Sequence, residues 1–226
     1  MERAKRRGVF YTIGQFLLRL LFYPVYRLRV IGREHLPADG AVLLCSNHIA
    51  AIDPILLGIV LKRQVFYMAK EELFRNKFVG MVLRGLGAFP VRRGSGGADA
   101  LADAYKLLDQ NAGVGVFIEG TRSKTGELLK PKTGAALLRY RTGAAVVPAC
   151  ITAEGGGRSR PFKRTEIRFG APISPEIPDD SSMQLRRASR AIMAEITALR
   201  AESARSMGFA LPAEAGQTPA QEKEGE

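Results

Sequence analysis

The sequence is organised around SNHIAAIDP, residues 46–54, which contains one of its two histidines. This stretch follows the apolar run AVLLC at residues 41–45 and precedes ILLGIVL at residues 55–61. The pattern predicts a turn between a buried strand and a helix. In α/β proteins, binding and catalytic groups lie at the carboxyl ends of strands. The stretch therefore predicts an α/β fold with a candidate site at the end of its first buried strand.

His48 and Asp53 lie on this turn, and each has two alternative roles. Asp53 followed by Pro54 is a good helix start, with the carboxylate capping free N–H groups, and a single histidine beside an apolar strand is often structural. A loop can also fold His48 back onto Asp53, which would supply a general base and its orienting partner. Such a pair needs no serine or cysteine nucleophile if the substrate brings its own hydroxyl.

The charge of the chain predicts an anionic partner. Thirty-four Lys and Arg against 22 Asp and Glu give a net charge of +12 in 226 residues, a length typical of one domain. Such a balance favours nucleic acid, an anionic membrane surface or a phosphorylated substrate. The chain has no Trp, only 8% aromatic residues and no zinc-finger or RNA-binding pattern. We therefore expect membrane and phosphate partners, and no nucleic acid.

The cysteines and histidines predict neither a disulfide framework nor a metal site. Cys45 and Cys150 lie in apolar, strand-like runs separated by most of the chain. This arrangement favours a reducing, cytosolic-side compartment. With two histidines and no Cys-x-x-Cys, a zinc site built by the protein is not expected, and no cofactor is predicted.

The two ends of the chain differ in composition from its centre. Residues 1–25 predict a basic, amphipathic, membrane-associating segment. Arg19 interrupts the apolar run of this segment, and a charge at the middle of a membrane-spanning helix is costly. In that arrangement Phe and Leu face the lipid and Arg faces the headgroups; a core-packing first helix is the alternative. Residues 26–206 are predicted to form one domain, and residues 207–226 a disordered tail.

Within the central domain, apolar strands alternate with helical stretches, which predicts a mixed, largely parallel sheet flanked by helices. Two later strands also end in polar groups. The first ends at Arg92 and Arg93, and the alternative interpretation is an ordinary pair of surface charges. The second runs into EGTRS at residues 119–123, where the guanidinium of Arg122 can bind phosphate oxygens in a fork. A polar turn closed by an internal Glu–Arg pair is the alternative for that stretch.

Together these stretches resemble the glycerolipid acyltransferases, the family typified by lysophosphatidate acyltransferase. The resemblance rests on Asn-His, four residues and Asp at residues 47–53, on a strand closing at Arg93, and on Phe117 with EGTRS; Ile118 replaces the proline of the family pattern. The Val147-Pro148 strand is similar to a fourth family motif. The resemblance implies that His48 and Asp53 are catalytic. It also implies substrate-binding residues, namely Arg93, Glu119, Gly120, Thr121 and Arg122.

The resemblance implies transfer of a fatty acyl group from acyl-CoA or acyl carrier protein to the sn-2 hydroxyl of lysophosphatidate, giving phosphatidic acid in phospholipid biosynthesis. It also implies a place on the cytoplasmic face of the membrane, peripheral or monotopic. Two alternatives stay open at this point. One is an acyltransferase with another acceptor, such as glycerol-3-phosphate or a different lyso-lipid. The other is a non-catalytic basic protein that binds anionic lipid.

Overall fold

A computed structural model of the chain describes residues 9–91 and 101–211. Residues 1–8, 92–100 and 212–226 lie outside the described part, so the predictions for Arg92, Arg93, the basic N-terminal end and most of the disordered tail cannot be compared with it. The helices are α1 (Val9–Val25), α2 (Asp53–Val60), α3 (Lys77–Gly85), α4 (Ala102–Asp109), α5 (Gly134–Thr142) and α6 (Ser182–Met207). The strands are β1 (Leu28–Ile31), β2 (Val42–Ser46), β3 (Val65–Lys70), β4 (Ala88–Val91), β5 (Gly113–Phe117), β6 (Ala145–Ala153) and β7 (Thr165–Phe169).

The strands form one sheet in the order β1-β7-β6-β2-β5-β3-β4. All neighbouring pairs are parallel except β6 and β7, so β1 and β7 run opposite to the other five strands. The predicted α/β class with a mixed, largely parallel sheet is therefore confirmed. At the centre of the sheet, Ser46 at the end of β2 pairs with Phe117 of β5 and Ala149 of β6. This register brings the two polar turns that follow β2 and β5 to the same edge.

Both faces of the sheet are covered, which explains why its central strands read as continuous apolar runs. One core packs the sheet against α2 and α1, with Leu44, Leu57 and Ile151 among its fully buried residues. The other core lies on the opposite face, where Leu43 and Val114 pack beneath helices α4, α5 and α6. The sheet is thereby fixed on both sides, and its carboxyl edge carries the polar turns.

Helix α1 turns Gln15 and Arg19 toward α2 and leaves several large apolar side chains exposed. The Gln15 amide donates to the carbonyl oxygens of Gly58 at 2.7 Å and Leu61 at 2.9 Å, and Arg19 donates to those of Ile59 and Leu61. These groups are the last carbonyls of α2, which have no partner within that helix. The expectation that Arg19 faces lipid headgroups is therefore wrong, because it caps α2 instead.

The outward face of α1 is apolar. Six of its exposed large side chains are 54–76% accessible, namely Val9, Ile13, Phe16, Leu17, Leu20 and Leu21. Helix α3, which lines one cavity together with α1, exposes Phe78 at 70% and Met81 at 57%. No helix in residues 9–91 or 101–211 combines the length and apolar character needed to cross a bilayer.

Candidate active site

The β2–α2 turn brings His48 and Asp53 into direct contact. The imidazole Nδ1 lies 2.8 Å from Asp53 Oδ2, and the Asp53 side chain is fully buried while that of His48 is 18% exposed. A carboxylate only accepts hydrogen bonds, so Nδ1 carries the proton and Nε2 retains its lone pair. The geometry is that of a general base with its tautomer fixed by a buried carboxylate.

Asp53 holds the turn as well as the imidazole. The same Oδ2 atom accepts hydrogen bonds from the N–H groups of Ile49 and Ala50, both at 2.7 Å. Asp53 is itself the first residue of α2, with Pro54 next to it. Its carboxylate accepts hydrogen bonds from the preceding loop and does not cap the helix. The observed role of Asp53 therefore differs from that of a simple helix-capping residue.

An aromatic side chain packs against one face of the His48 imidazole ring. The Phe117 ring stacks on His48 with a centroid distance of 4.1 Å and an interplanar angle of 19°. Tyr67 of β3 packs behind Phe117 at 6.0 Å. Gly115 makes room for Tyr67, since a Cβ atom at that position would overlap its ring. The orientation of His48 is thus fixed by Asp53 at one edge and by Phe117 on one face.

Glu119 is buried behind the His48 main chain. One carboxylate oxygen accepts the N–H of His48 at 3.2 Å, and the other accepts the N–H of Leu129 at 3.2 Å. Burial raises the pKa of Glu119 to about 7, although the two N–H donors and the charge of Arg200 act in the opposite direction. Glu119 is 1% exposed. Through its two hydrogen bonds it joins the loop that follows β5 to the β2–α2 turn.

A second link joins the same two turns. The Ser123 N–H donates to the His48 carbonyl at 2.7 Å, and Ser123 Oγ accepts the N–H of Gly126 at 3.1 Å. Arg200, from the distant helix α6, donates from Nη2 to the carbonyls of Gly126 at 3.0 Å and Gly156 at 3.4 Å. The Arg200 residue is only 5% exposed. The N–H and C=O of His48 are therefore both held by the loop at residues 119–132, and Arg200 holds that loop from below.

Sequence reasoning missed the roles of Arg200 and Asn47, because both depend on contacts between distant parts of the chain. Asn47 uses its side-chain amide as a substitute strand partner, with Nδ2 donating to the Ile151 carbonyl at 2.9 Å and Oδ1 accepting the Ile151 N–H at 2.8 Å. The only signal for Arg200 in the sequence is an arginine in register with the apolar face of its helix.

The main-chain amides of the two polar turns at the site already have hydrogen-bond acceptors. The N–H groups of His48, Ile49 and Ala50 bond to carboxylates, and that of Gly120 donates to the Phe117 carbonyl at 2.9 Å. These amides hold the two turns together and are not free to bind a ligand.

The remaining predicted binding residues lie at the open side of the site. Gly120, Thr121 and Arg122 are exposed, and Gly120 has a φ of +69°, a conformation that suits glycine. The exposed Arg122 side chain is available to an anionic ligand at the same sheet edge as His48.

An apolar cavity of about 50 Å³ lies beside the site. It is lined by residues of α1, α2, α3 and strands β3 and β4, and its walls include Leu18, Pro54, Gly58, Tyr67 and Leu86. Pro54 follows Asp53 directly, and Tyr67 packs against the ring that stacks on His48. The cavity therefore shares two wall residues, Pro54 and Tyr67, with the neighbourhood of the His48–Asp53 pair.

Taken together, these residues provide a base, a buried orienting carboxylate, an exposed guanidinium and an apolar cavity at one edge of an α/β sheet. They suit the removal of a proton from a substrate hydroxyl. A model of the acyltransferase family matches residues 27–152. The match covers more than half of the chain, and the chain belongs to the acyltransferase family.

Individual relatives agree with the family match. The chain is 36% identical over 149 residues to the 1-acyl-sn-glycerol-3-phosphate acyltransferase of Bacillus subtilis, covering 65% of this chain and 73% of the relative. It is 33% identical to a chloroplastic 1-acyl-sn-glycerol-3-phosphate acyltransferase of Arabidopsis thaliana, over 69% of this chain and 44% of the larger relative. The crystal structure of the 1-acyl-sn-glycerophosphate acyltransferase PlsC from Thermotoga maritima superposes with a TM-score of 0.63 at 25% identity, covering 85% and 78% of the two chains.

Proposed function

We propose that this enzyme transfers a fatty acyl group from an acyl thioester to the sn-2 hydroxyl of lysophosphatidate, producing phosphatidic acid. The observation that carries the proposal is the contact of His48 with the buried carboxylate of Asp53 at the edge that also presents Arg122. The names of the relatives supply the substrate class.

In the proposed mechanism, Nε2 of His48 accepts the proton of the sn-2 hydroxyl as the oxygen attacks the thioester carbonyl. A carbon–oxygen bond forms, the carbon–sulfur bond breaks, and the thiolate leaves with the proton returned by the imidazolium. Asp53 stabilises that imidazolium through Nδ1. A positioned base is typically worth ~10² to 10⁴ in rate, and the fixed orientation of His48 lowers the entropic cost of reaching the reactive geometry.

The acceptor phosphate is assigned to arginine. Arg122 is exposed beside the catalytic turn, and its guanidinium matches the geometry of phosphate oxygens. Arg93, Gly120 and Thr121 are proposed to complete the phosphate site. Glu119 belongs to the site in a different way, since both of its oxygens accept main-chain N–H groups, so we assign it to holding the turn.

The acyl chain is assigned to the apolar cavity. Its walls are almost entirely apolar, and it starts beside Pro54, immediately after the catalytic carboxylate. Each methylene of an acyl chain buried there contributes about 0.8 kcal/mol. Chain-length preference should therefore follow the depth of this cavity.

Residues 1–25 are proposed to hold the enzyme on the membrane. The exposed face of α1 is largely apolar because Gln15 and Arg19 turn inward to α2, and α3 also exposes Phe78 and Met81. An apolar helical face on a protein of net charge +12 suits the interface of an anionic leaflet. The cytoplasmic leaflet is the anionic one, so that is the proposed location.

The acyl donor is proposed to be either acyl-CoA or acyl carrier protein, both of which are anionic and would be attracted to the basic surface. The test is a panel of reactions in mixed micelles. Each donor is combined with lysophosphatidate, glycerol-3-phosphate or lysophosphatidylcholine, and the acylated product is quantified by mass spectrometry. Product with lysophosphatidate alone supports the proposal, whereas preference for glycerol-3-phosphate would replace the acceptor.

The same panel separates the phosphate site from general surface charge. Arg122→Ala should raise the KM for lysophosphatidate more than 10-fold, since a charge-assisted fork contributes about 1.5 kcal/mol or more. Lys124→Ala, which removes an exposed charge two residues away, is the matched control and should change KM little. Equal effects of the two changes would assign the phosphate to another residue.

A further inference from the structure

Phe162 lies on a surface turn that the proposed reaction does not use. The turn belongs to the connection between β6 and β7, and the Phe162 residue is 75% exposed. Single exposed apolar residues are common on protein surfaces. Three further observations distinguish this one, namely its backbone conformation, the charges around it and its attachment to the end of α1.

The backbone at Phe162 has a conformation that usually belongs to glycine. The Lys163 N–H donates to the Arg160 carbonyl at 3.3 Å, which closes a β-turn with Pro161 and Phe162 at its central positions. Phe162 has a φ of +64°, as the third position of a type II turn requires. For a residue with a side chain this conformation costs roughly 1–2 kcal/mol. Glycine would form this turn with less strain, so turn formation does not explain why a phenylalanine stands here.

The turn around Phe162 is rich in basic residues, and the exposed carboxylate of Glu154 accepts the Arg164 N–H at 3.3 Å. Between Glu154 and Glu166 the chain contains no acidic residue and four basic ones, namely Arg158, Arg160, Lys163 and Arg164. The first three of these are exposed. An aromatic ring set among cations fits the boundary of an anionic membrane, where the ring enters the interface and the cations meet lipid phosphates.

The turn is joined to the end of the apolar helix. The Phe162 N–H donates to the carbonyl of Val25, the last residue of α1, and the Thr165 N–H donates to the Tyr26 carbonyl at 3.0 Å. Strand β6 pairs with β2 as far as Ala149 opposite Ser46 and continues to Ala153 before the turn. The connection therefore extends past the end of the strand that leads to His48.

We propose that the turn at residues 160–163 is a second membrane contact, which inserts Phe162 into the interface of an anionic bilayer. This inference rests on the proposed membrane association of α1 and adds to it. Two contacts, one along α1 and one at the active-site edge, fix the orientation of the enzyme, whereas a single helix allows it to rotate. The site then faces the headgroups of lipids in the same leaflet.

The chain has no tryptophan, so each introduced tryptophan is a unique fluorescent probe. Three full-length variants are compared, each with one reporter: Phe162→Trp, Leu17→Trp on the exposed face of α1, and Tyr140→Trp, which replaces a residue 40% exposed on α5. Each is mixed with vesicles of equal parts phosphatidylglycerol and phosphatidylcholine that carry bromine on the acyl chains. The proposal predicts quenching at positions 162 and 17 and none at position 140.

The outcomes separate this inference from the function it rests on. Quenching at position 17 without quenching at position 162 would overturn the second contact and leave membrane association by α1 intact. Absence of quenching at both positions would overturn both. A response at position 162 to acyl carrier protein and not to vesicles would assign the turn to a protein partner, which also overturns the proposal.

Phe162→Gly provides a test without a probe. Because glycine adopts positive φ without strain, this variant should be at least as stable to heat as the wild type. Its partition into the anionic vesicles should fall by roughly 10-fold or more, the expected effect of losing one buried aromatic ring. Lower thermal stability with unchanged partition would mean that Phe162 serves the fold, and the proposal would be wrong.

Discussion

The main-chain N–H of His48 donates to Glu119 Oε1 at 3.2 Å, so a carboxylate 71 residues away helps to hold the catalytic turn. The same carboxylate accepts the N–H of Leu129, and the two turns are joined through it. A buried acid in this position makes the stability of the enzyme depend on pH.

The first prediction concerns that dependence. Burial raises the pKa of Glu119 from its ordinary 4.5 to about 7. Between these values the native state binds more protons than the unfolded state, so the contribution of Glu119 to stability is greatest below pH 4.5 and is lost as the pH rises to about 7. Glu119→Gln does not titrate. The free energy of unfolding of the wild type relative to this variant should therefore fall by about 3 kcal/mol across the window, measured by urea denaturation at several pH values. A difference that does not change with pH would contradict it.

The second prediction concerns Asp53→Asn. The amide oxygen can still accept the N–H groups of Ile49 and Ala50, so the fold should persist. The negative charge that stabilises the imidazolium is lost, and kcat should fall about 10² to 10⁴-fold. The measurement is steady-state kinetics alongside circular dichroism. A folded Asp53→Asn variant with the kcat of the wild type would remove Asp53 from the mechanism.

The third prediction concerns Arg200→Met. The variant leaves the carbonyls of Gly126 and Gly156 without this donor, which should cost about 1–3 kcal/mol of stability. Loosening the loop displaces the His48 main chain, and kcat should fall by up to about 10²-fold with little change in KM. Arg190→Met, an exposed change on the same helix, is the control.

A double-mutant cycle tests the route of this effect. Ser123→Ala removes the acceptor that links Gly126 to the catalytic turn. If Arg200 acts through Ser123, the losses in kcat from Arg200→Met and Ser123→Ala should not add. Fully additive losses would mean that Arg200 acts by another path.

The fourth prediction concerns the acyl cavity. Gly58 lines it, and apart from its chain neighbours and the backbone of its own helix no heavy atom lies within 4 Å of the place where a Cβ would stand. Gly58→Leu should reduce the volume of the cavity and shift the donor preference to shorter acyl chains. Competition between thioesters of different length gives the readout, with Gly58→Ala as the smaller substitution. Unchanged preference in Gly58→Leu would place the chain elsewhere.

The sequence predicted the parts of the fold that local pattern controls. The apolar run before His48 is β2, the run that follows Asp53 lies in α2, and the strand predicted before residues 119–123 is β5. Apolar runs bounded by turn residues specify such elements without reference to the rest of the chain. The contact of His48 with Asp53 also follows from a short loop, and the structure brings the two side chains together.

What the sequence did not predict depends on distant contacts. Arg19 was expected to face lipid headgroups, yet it caps α2, because the alternative is a set of unsatisfied carbonyls at the end of a buried helix. Arg200 and Asn47 likewise satisfy main-chain groups far away in the sequence. No local pattern reports such partners, since they exist only after the sheet has formed.

The central claim is that His48 is the base for acyl transfer to lysophosphatidate, and the most direct measurement is the rate of phosphatidic acid formation by the wild type and by His48→Ala. A labelled acyl donor is supplied as acyl-CoA and, separately, as acyl carrier protein. The account predicts product from the wild type with at least one donor, and a loss of about 10² or more in the folded variant. Equal rates for the two proteins, or no transfer by the wild type from either donor, would contradict it.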